Sequence, residues 1–119
     1  MTGYIYIREN EFYNEYDVYK IGATNNIAER NSVYVSREIK RGRFIKVYEV
    51  PYKKLKLIEN LIYSEFKNFY IEFDGGTQFY KKEIINLIDN FLLELEEKMS
   101  IKFVKLSNDD IKKLIRIWN

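Results

Sequence analysis

The chain contains no histidine and no cysteine. Acid–base work therefore falls to Tyr, Lys, Glu, Asp or a metal-bound water, and disulfides and thiolate metal sites are excluded. Within that restricted set, Tyr6 and Tyr19 stand in two β-prone runs, Gly3-Tyr4-Ile5-Tyr6-Ile7 and Val18-Tyr19-Lys20-Ile21-Gly22. A phenol titrates near 10 and is a poor base at neutral pH, but neighbouring cations favour the phenolate. Arg30 offers a planar fork of donors matched to a phosphate and keeps its charge at any working pH. Glu59 is a hard oxygen ligand suited to Mg²⁺ or Mn²⁺, an ion that takes waters and a substrate phosphate oxygen at its other positions. These groups meet the needs of phosphodiester hydrolysis: a nucleophilic water, charge neutralisation at phosphorus and help for the leaving oxygen.

The elements that must position them follow from periodicity and caps. Strand one spans about Gly3 to Arg8 and strand two about Val18 to Gly22, joined by a polar hairpin connection from Glu9 to Asp17. If the strands pair, Tyr6 and Tyr19 sit side by side, and Lys20 points to the face opposite Tyr19. Gly22 ends the second strand. Asn26 with Glu29 forms a capping-box pattern, so a helix begins there and lasts to about Ser36, with Ile27, Arg30 and Tyr34 on one face. Arg43 to Val50 reads as strand three, with Phe44, Lys46, Tyr48 and Val50 on one face and Pro51 as its stop. A second helix covers about Lys53 to Phe69, and Glu59 lies roughly 80° from the centre of its apolar stripe, a flank position reachable from a cleft. Asp74-Gly75-Gly76-Thr77 is a turn before Gln78-Phe79-Tyr80, and a third helix runs from about Lys81 to Met99.

The last residues hold a short strand near Lys102 to Val104. A final helix follows to about Ile117, capped by Ser107 or Asn108 and bearing a sticky face of Ile111, Leu114, Ile115 and Trp118. The expected fold is α/β of the α+β kind: a small three-stranded, mainly antiparallel sheet flanked by about three helices. Residues 1–98 make the domain, and 99–119 make an appendage packed on it or on a partner.

Ile5-Tyr6 in the first run and Tyr19-Lys20-Ile21-Gly22 in the second resemble the two motifs of the GIY-YIG nuclease superfamily. The resemblance covers about residues 3 to 95 and takes in Tyr6, Tyr19, Arg30 and Glu59 in type, order and approximate spacing. It implies a DNA endonuclease with Tyr6 as general base, Tyr19 orienting water or phosphate, Arg30 clamping the phosphate and Glu59 holding one Mg²⁺ or Mn²⁺. Tyr34 stands one turn beyond Arg30, where many relatives place a histidine. It is either a second proton acceptor or a positioning hydroxyl. Gln78 occupies the neighbourhood where relatives often supply an Asn or an acidic residue, and a neutral amide holds a metal weakly. The competing readings are a DNA-binding module that keeps the fold without cleaving, and an interaction domain that uses its last helix. Residue by residue, the tyrosines also suit an ordinary half-buried sheet, and Arg30 with Glu59 could form a structural ion pair.

The chain has 119 residues, enough for one core, with 46% hydrophobic residues, 11 tyrosines and a net charge of +2. No apolar run approaches a membrane span and no signal-peptide pattern opens the chain, so a soluble intracellular protein without a membrane partner is expected. Cationic residues cluster locally. Arg37, Lys40, Arg41, Arg43 and Lys46, joined by Lys20 and Gln78, are the candidate DNA contacts, with Phe44, Tyr48 and Tyr52 interleaved. One active site cuts one strand, so cutting both requires a homodimer or two visits.

Overall fold

The computed structural model describes residues 1–39, 41–73 and 76–116. Among the described residues it is an α+β protein with one six-stranded antiparallel sheet and five α-helices. The three strands expected from the sequence are its centre. β2 (Val18–Thr24), β1 (Thr2–Glu9) and β3 (Arg43–Pro51) lie side by side. A hairpin of β4 (Tyr70–Phe73) and β5 (Gly76–Lys81) extends the β2 edge, and β6 (Val104–Lys105) extends the β3 edge. The full order is β4-β5-β2-β1-β3-β6.

The connection between β1 and β2 is not a bare hairpin. It holds a five-residue helix, α1 (Glu11–Glu15), capped by the Asn10 side chain, which accepts from the Tyr13 N–H at 2.8 Å. α2 (Ile27–Arg37) starts where the capping pattern places it, with Asn26 Oδ1 accepting from the Glu29 N–H at 3.0 Å. The second expected helix is shorter. α3 (Leu55–Phe66) is flanked by 3₁₀ turns at Tyr52–Lys54 and Lys67–Phe69. The third begins with a 3₁₀ turn, Lys82–Asn86, and becomes α4 (Ile88–Met99). The last helix, α5 (Asn108–Arg116), is capped by Ser107 Oγ, which accepts from the Asp110 N–H at 3.1 Å. Of its expected apolar face, Trp118 lies outside the described residues.

Two packed groups lie on the two faces of the sheet. Ile5, Ile7 and Ile21 pack with Ile58 and Ile62 of α3 and with Ile88 and Leu92 of α4. Tyr6, Phe44 and Val47 pack on the other face with Ile27 of α2 and Ile111 of α5. The segment after Met99 therefore folds back on the domain: β6 pairs with β3, and Ile111 is 5% exposed.

A β-bulge decides which residues reach which face. The β1–β3 register shifts between Ile7, opposite Lys46, and Arg8, opposite Phe44, so Ile45 is the extra residue. A bulge reverses the alternation beyond it. Phe44 accordingly faces Tyr6, while Lys46, Tyr48 and Val50 face the α3–α4 layer. This corrects the expectation that Phe44 shares a face with Lys46, Tyr48 and Val50.

Candidate active site

The β1–β2 register pairs Tyr6 with Gly22 and Arg8 with Lys20. Paired residues project to the same face, so Tyr6, Arg8, Lys20 and Gly22 share one face and Tyr19 projects from the other. The expected side-by-side placement of Tyr6 and Tyr19 is corrected accordingly: one step along a strand reverses the side chain. Tyr19 lies opposite Tyr80, packs against the α3–α4 core and has the Lys82 ammonium 5.2 Å from its ring centre. Lys20 stands where the second phenol was expected.

Tyr6 is 2% exposed, and its ring lies across the bare backbone of Gly22. Its hydroxyl is 2.7 Å from that of Tyr34 on α2, one donating to the other. Phe44 closes the back of the pair, with its ring centre 5.0 Å from that of Tyr6 and 6.2 Å from that of Tyr34, both edge-on. The Lys20 ammonium sits between the rings of Tyr34 and Phe79, at 5.3 and 5.5 Å from their centres.

Arg8 explains how Tyr34 is held. It is fully buried, an unusual place for a guanidinium. Nη2 donates to Glu38 Oε1 at 2.7 Å, Nε to Glu38 Oε2 at 3.1 Å and Nη1 to Asn31 Oδ1 at 3.2 Å. Its planar head stacks near Tyr34 and Phe44, 4.5 and 4.7 Å from the ring centres. Asn10 Nδ2 and the Gly42 N–H donate to the same Glu38 carboxylate, at 2.9 and 3.1 Å. Burial alone would raise the Glu38 carboxyl. The hydrogen bonds from Arg8, Asn10 and Gly42 outweigh it and hold Glu38 below its usual value. A fully satisfied buried charge network of this kind fixes geometry. Nothing in the sequence marks Arg8 beyond a charge at an inward position of a strand.

These surroundings set the protonation states. Burial pushes the Tyr6 phenol above 10, and the pull of the Tyr34 hydroxyl, Arg30 and Arg8 in the other direction does not overcome it. At Tyr6, burial thus outweighs the two arginines. Tyr34 is raised further, by burial and by its partnership with Tyr6. Lys20 moves the opposite way. Burial and the Arg30 charge lower it below 10.5, against a weaker upward pull from Glu38. Two neutral hydroxyls therefore stand beside an amine that loses its proton more readily than an exposed lysine does.

Arg30 is on α2 one turn before Tyr34, exposed, and close enough for its charge to act on Tyr6, Tyr34 and Lys20. Arg30, Tyr34 and Lys20 line a cleft of about 560 Å³ between α1 and α2.

Glu59 approaches from the other layer. On α3 it lines a second cleft of about 200 Å³ with Ile21, Lys56, Tyr70, Gln78 and Tyr80. Its charge acts on Tyr6 nonetheless, raising the phenol. The connection is the edge of β2. β5 pairs with Val18, Tyr19 and Lys20 and goes no further, because the next residue in register, Gln78, takes φ 72°. That left-handed conformation is rare for a residue with a side chain. It turns Gln78 out of the ladder, and its Nε2 donates to Glu59 Oε2 at 2.7 Å. The Tyr6 hydroxyl overhangs Gly22 beside this gap. The arrangement thus has phenols, amine and guanidinium on one face and a carboxylate reaching the gap from the other.

Among the described residues no group of three acidic or histidine side chains could cage an ion. A single carboxylate such as Glu59 is a ligand that Mg²⁺ or Mn²⁺ accepts, with water and phosphate supplying the remaining oxygens, but one of its oxygens already accepts from the Gln78 amide.

The expected basic band does not form one track. Arg37 lines the α1–α2 cleft and Arg41 is exposed, while Lys40 lies outside the described residues. Arg43 is paired with Glu9 at 2.6 Å. Lys46, turned to the α3–α4 face by the bulge, is paired with Asp89 at 3.0 Å and also donates to the Ile85 carbonyl. It supports the fold on the side away from Tyr6. No helix among the described residues is long and apolar enough to cross a membrane.

No curated protein and no solved structure matches the chain. A family model does, over residues 3–119, nearly the whole length. The chain belongs to the T5orf172 domain family, a domain found in some phage and bacterial nucleases and loosely associated with nuclease-like or DNA-binding function.

Proposed function

We propose that the protein is a metal-dependent DNA endonuclease of the GIY-YIG type, hydrolysing one phosphodiester bond per visit. The observation that carries this reading is the convergence at Gly22. The Tyr6 hydroxyl lies over Gly22 and bonds Tyr34, Lys20 stands against the Tyr34 ring on that face, and the charges of Arg30 and of the Gln78-bound Glu59 both act on Tyr6.

Each group has a role that its state permits. Arg30, exposed at the cleft mouth, binds the non-bridging oxygens of the scissile phosphate and offsets the charge that builds there. Tyr6 and Tyr34, neutral and hydrogen-bonded to each other, orient the attacking water. Lys20 Nζ, in its neutral form, takes the water's proton as the O–P bond forms, so the base is assigned to the amine and the positioning to the phenols. Glu59 would hold the divalent ion, with Gln78 steadying the carboxylate. When bound, the ion supplies charge stabilisation at the leaving 3′ oxygen. Tyr19, on the far face, holds β2 against β5 and the core.

The test is Mg²⁺- or Mn²⁺-dependent nicking of supercoiled plasmid and of branched DNA. Glu59→Ala and Arg30→Ala should each lower the rate at least about a hundredfold, the scale on which one transition-state charge contact acts. Equal cleavage by both variants would exclude this site. A second reading, a DNA-binding module that does not cleave, is favoured by the Gln78 amide occupying a Glu59 oxygen. It requires salt-sensitive DNA binding with no turnover in any divalent ion.

A further inference from the structure

The proposed mechanism uses Lys20, Arg30 and Tyr34, which form one side of the α1–α2 cleft. It leaves the other side without a task. That side is aromatic: Phe12 and Tyr13 of α1 face the cleft, and Phe12 is 49% exposed. α2 answers with Arg30, Val33, Tyr34 and Arg37, spaced i, i+3, i+4, i+7, so they form one stripe. Tyr34 is half-buried against Tyr6 and Phe44, whereas Val33 and the two arginines are exposed. A helix normally buries its apolar residues. Here Val33, with an arginine at each end of the stripe, stands at an open cleft that Tyr34 also lines.

Charge is distributed unevenly across the opening. The cations, Lys20, Arg30 and Arg37, lie on the floor and the α2 side. Glu11 and Glu15 lie on α1. Glu38, also at the cleft, is committed to the buried Arg8. A ligand with an anionic and an aromatic end is therefore oriented: its phosphate goes toward α2, and its flat ring goes toward Phe12 and Tyr13. The α1 carboxylates can accept from exocyclic amino groups of a base and repel a second phosphate strand. A base within duplex DNA cannot enter, because both of its faces are already stacked.

We infer that the cleft between α1 and α2 binds an unpaired nucleobase flanking the scissile phosphate, so that the substrate class is DNA carrying a flap, a bulge or another single-stranded nucleotide. The inference rests on the endonuclease reading for the position of that phosphate. Base–aromatic stacking is sequence-tolerant, so the cleft selects for an unpaired base and not for its identity.

The test is equilibrium binding in EDTA, with the full chain and three DNAs of equal length: a duplex, a 5′-flap and a single strand. 2-Aminopurine is placed at each unpaired position in turn. The expected result is at least about fivefold tighter binding of flap than of duplex, the low end of what one stacked base contributes, with 2-aminopurine quenched at one position. Phe12→Ala and Val33→Ala should each weaken the preference and the quenching, leave duplex affinity unchanged and melt close to the parent protein. Equal affinity for flap and duplex, or a preference that survives both substitutions, overturns the inference. Mg²⁺-dependent nicking of plain duplex alongside that result leaves the endonuclease reading intact. Absence of binding to all three DNAs removes both.

Discussion

A Cβ placed on Gly22 would lie 2.3 Å from the Tyr6 hydroxyl and 2.5 Å from its Cζ. The glycine of the second motif thus serves the tyrosine of the first, by leaving the space its ring fills. Gly22→Ala should displace the phenol, break its hydrogen bond to Tyr34 and destabilise the fold by about 1–3 kcal/mol, as overpacking does. Thermal melting should show a drop of several degrees, and any cleavage activity should fall further than the stability loss explains. Gly22→Ala with unaltered melting and cleavage would mean that the ring does not lie there.

Arg8 and Glu38 form a buried pair, and breaking such a pair from one side strands a charge. Arg8→Met should cost about 3–5 kcal/mol in urea denaturation. Glu38→Gln leaves the guanidinium charge unpaired and turns an amide donor toward either Nη2 and the Gly42 N–H or Nε and Asn10 Nδ2, so it should cost a similar amount. In both variants the Tyr34 ring loses its stacked partner or that partner's anchor, so flap and duplex nicking should decline together.

Asp89 gives a pH signature remote from the candidate site. Burial would raise it, but hydrogen bonds from the Tyr48 hydroxyl, Lys105 and Lys46 hold it at about 2, below its ordinary 3.8. A carboxyl lowered by folding stabilises the protein above its unfolded pKa, and that contribution disappears as pH falls through the folded value. The melting temperature of the parent protein should therefore decline more steeply than that of Asp89→Asn between about pH 4 and about pH 2. The two should converge at the acid end. A constant gap at every pH would assign the effect of Asp89→Asn to packing alone.

The assignment of the base to Lys20 can be checked by rate against pH. A base acts when deprotonated, and burial with the Arg30 charge holds Lys20 below 10.5. Cleavage at saturating metal should rise with pH on the acid side of the Lys20 titration, with a slope approaching about tenfold per unit, and level off beyond it. Lys20→Arg keeps the charge and should flatten the profile, whereas Tyr6→Phe should lower the rate without changing its slope. A rise retained in Lys20→Arg and lost in Tyr6→Phe would return the base to the phenol.

The parts of the molecule that were legible in the sequence are those whose signal is local. The Asn26 cap, the Ser107 cap and the β1 and β2 runs each depend on a few adjacent residues, and each stands where expected, except that β2 does not end at Gly22 but stays paired with β1 through Thr24. Other features depend on a partner elsewhere in the chain. Whether Tyr6 meets Tyr19 or Gly22 is a matter of register, and α1 changes how the chain enters β2. Five residues are too few for periodicity to reveal such a helix. The β4–β5 hairpin is hidden because Tyr70 and Ile71 continue the apolar run that ends α3, and β5 carries the left-handed Gln78 within it. The bulge at Ile45 sends Phe44 and Lys46 to opposite faces, which takes Lys46 out of the expected basic band. Of the candidate site, Arg30, Tyr34, Glu59 and Gln78 were found by type and order. Arg8 was not, since arginine in a strand ordinarily reads as solvent-facing.

The sheet's two packed groups are unequal, and the one holding Tyr6 is the smaller. Ile111 of α5 is one of its five buried members, beside Ile27, Phe44, Val47 and Tyr6 itself. The last helix is consequently a buttress for the phenol. A tether or fusion that tugged on α5 would loosen the reacting face while leaving the larger layer, and most of the fold, standing.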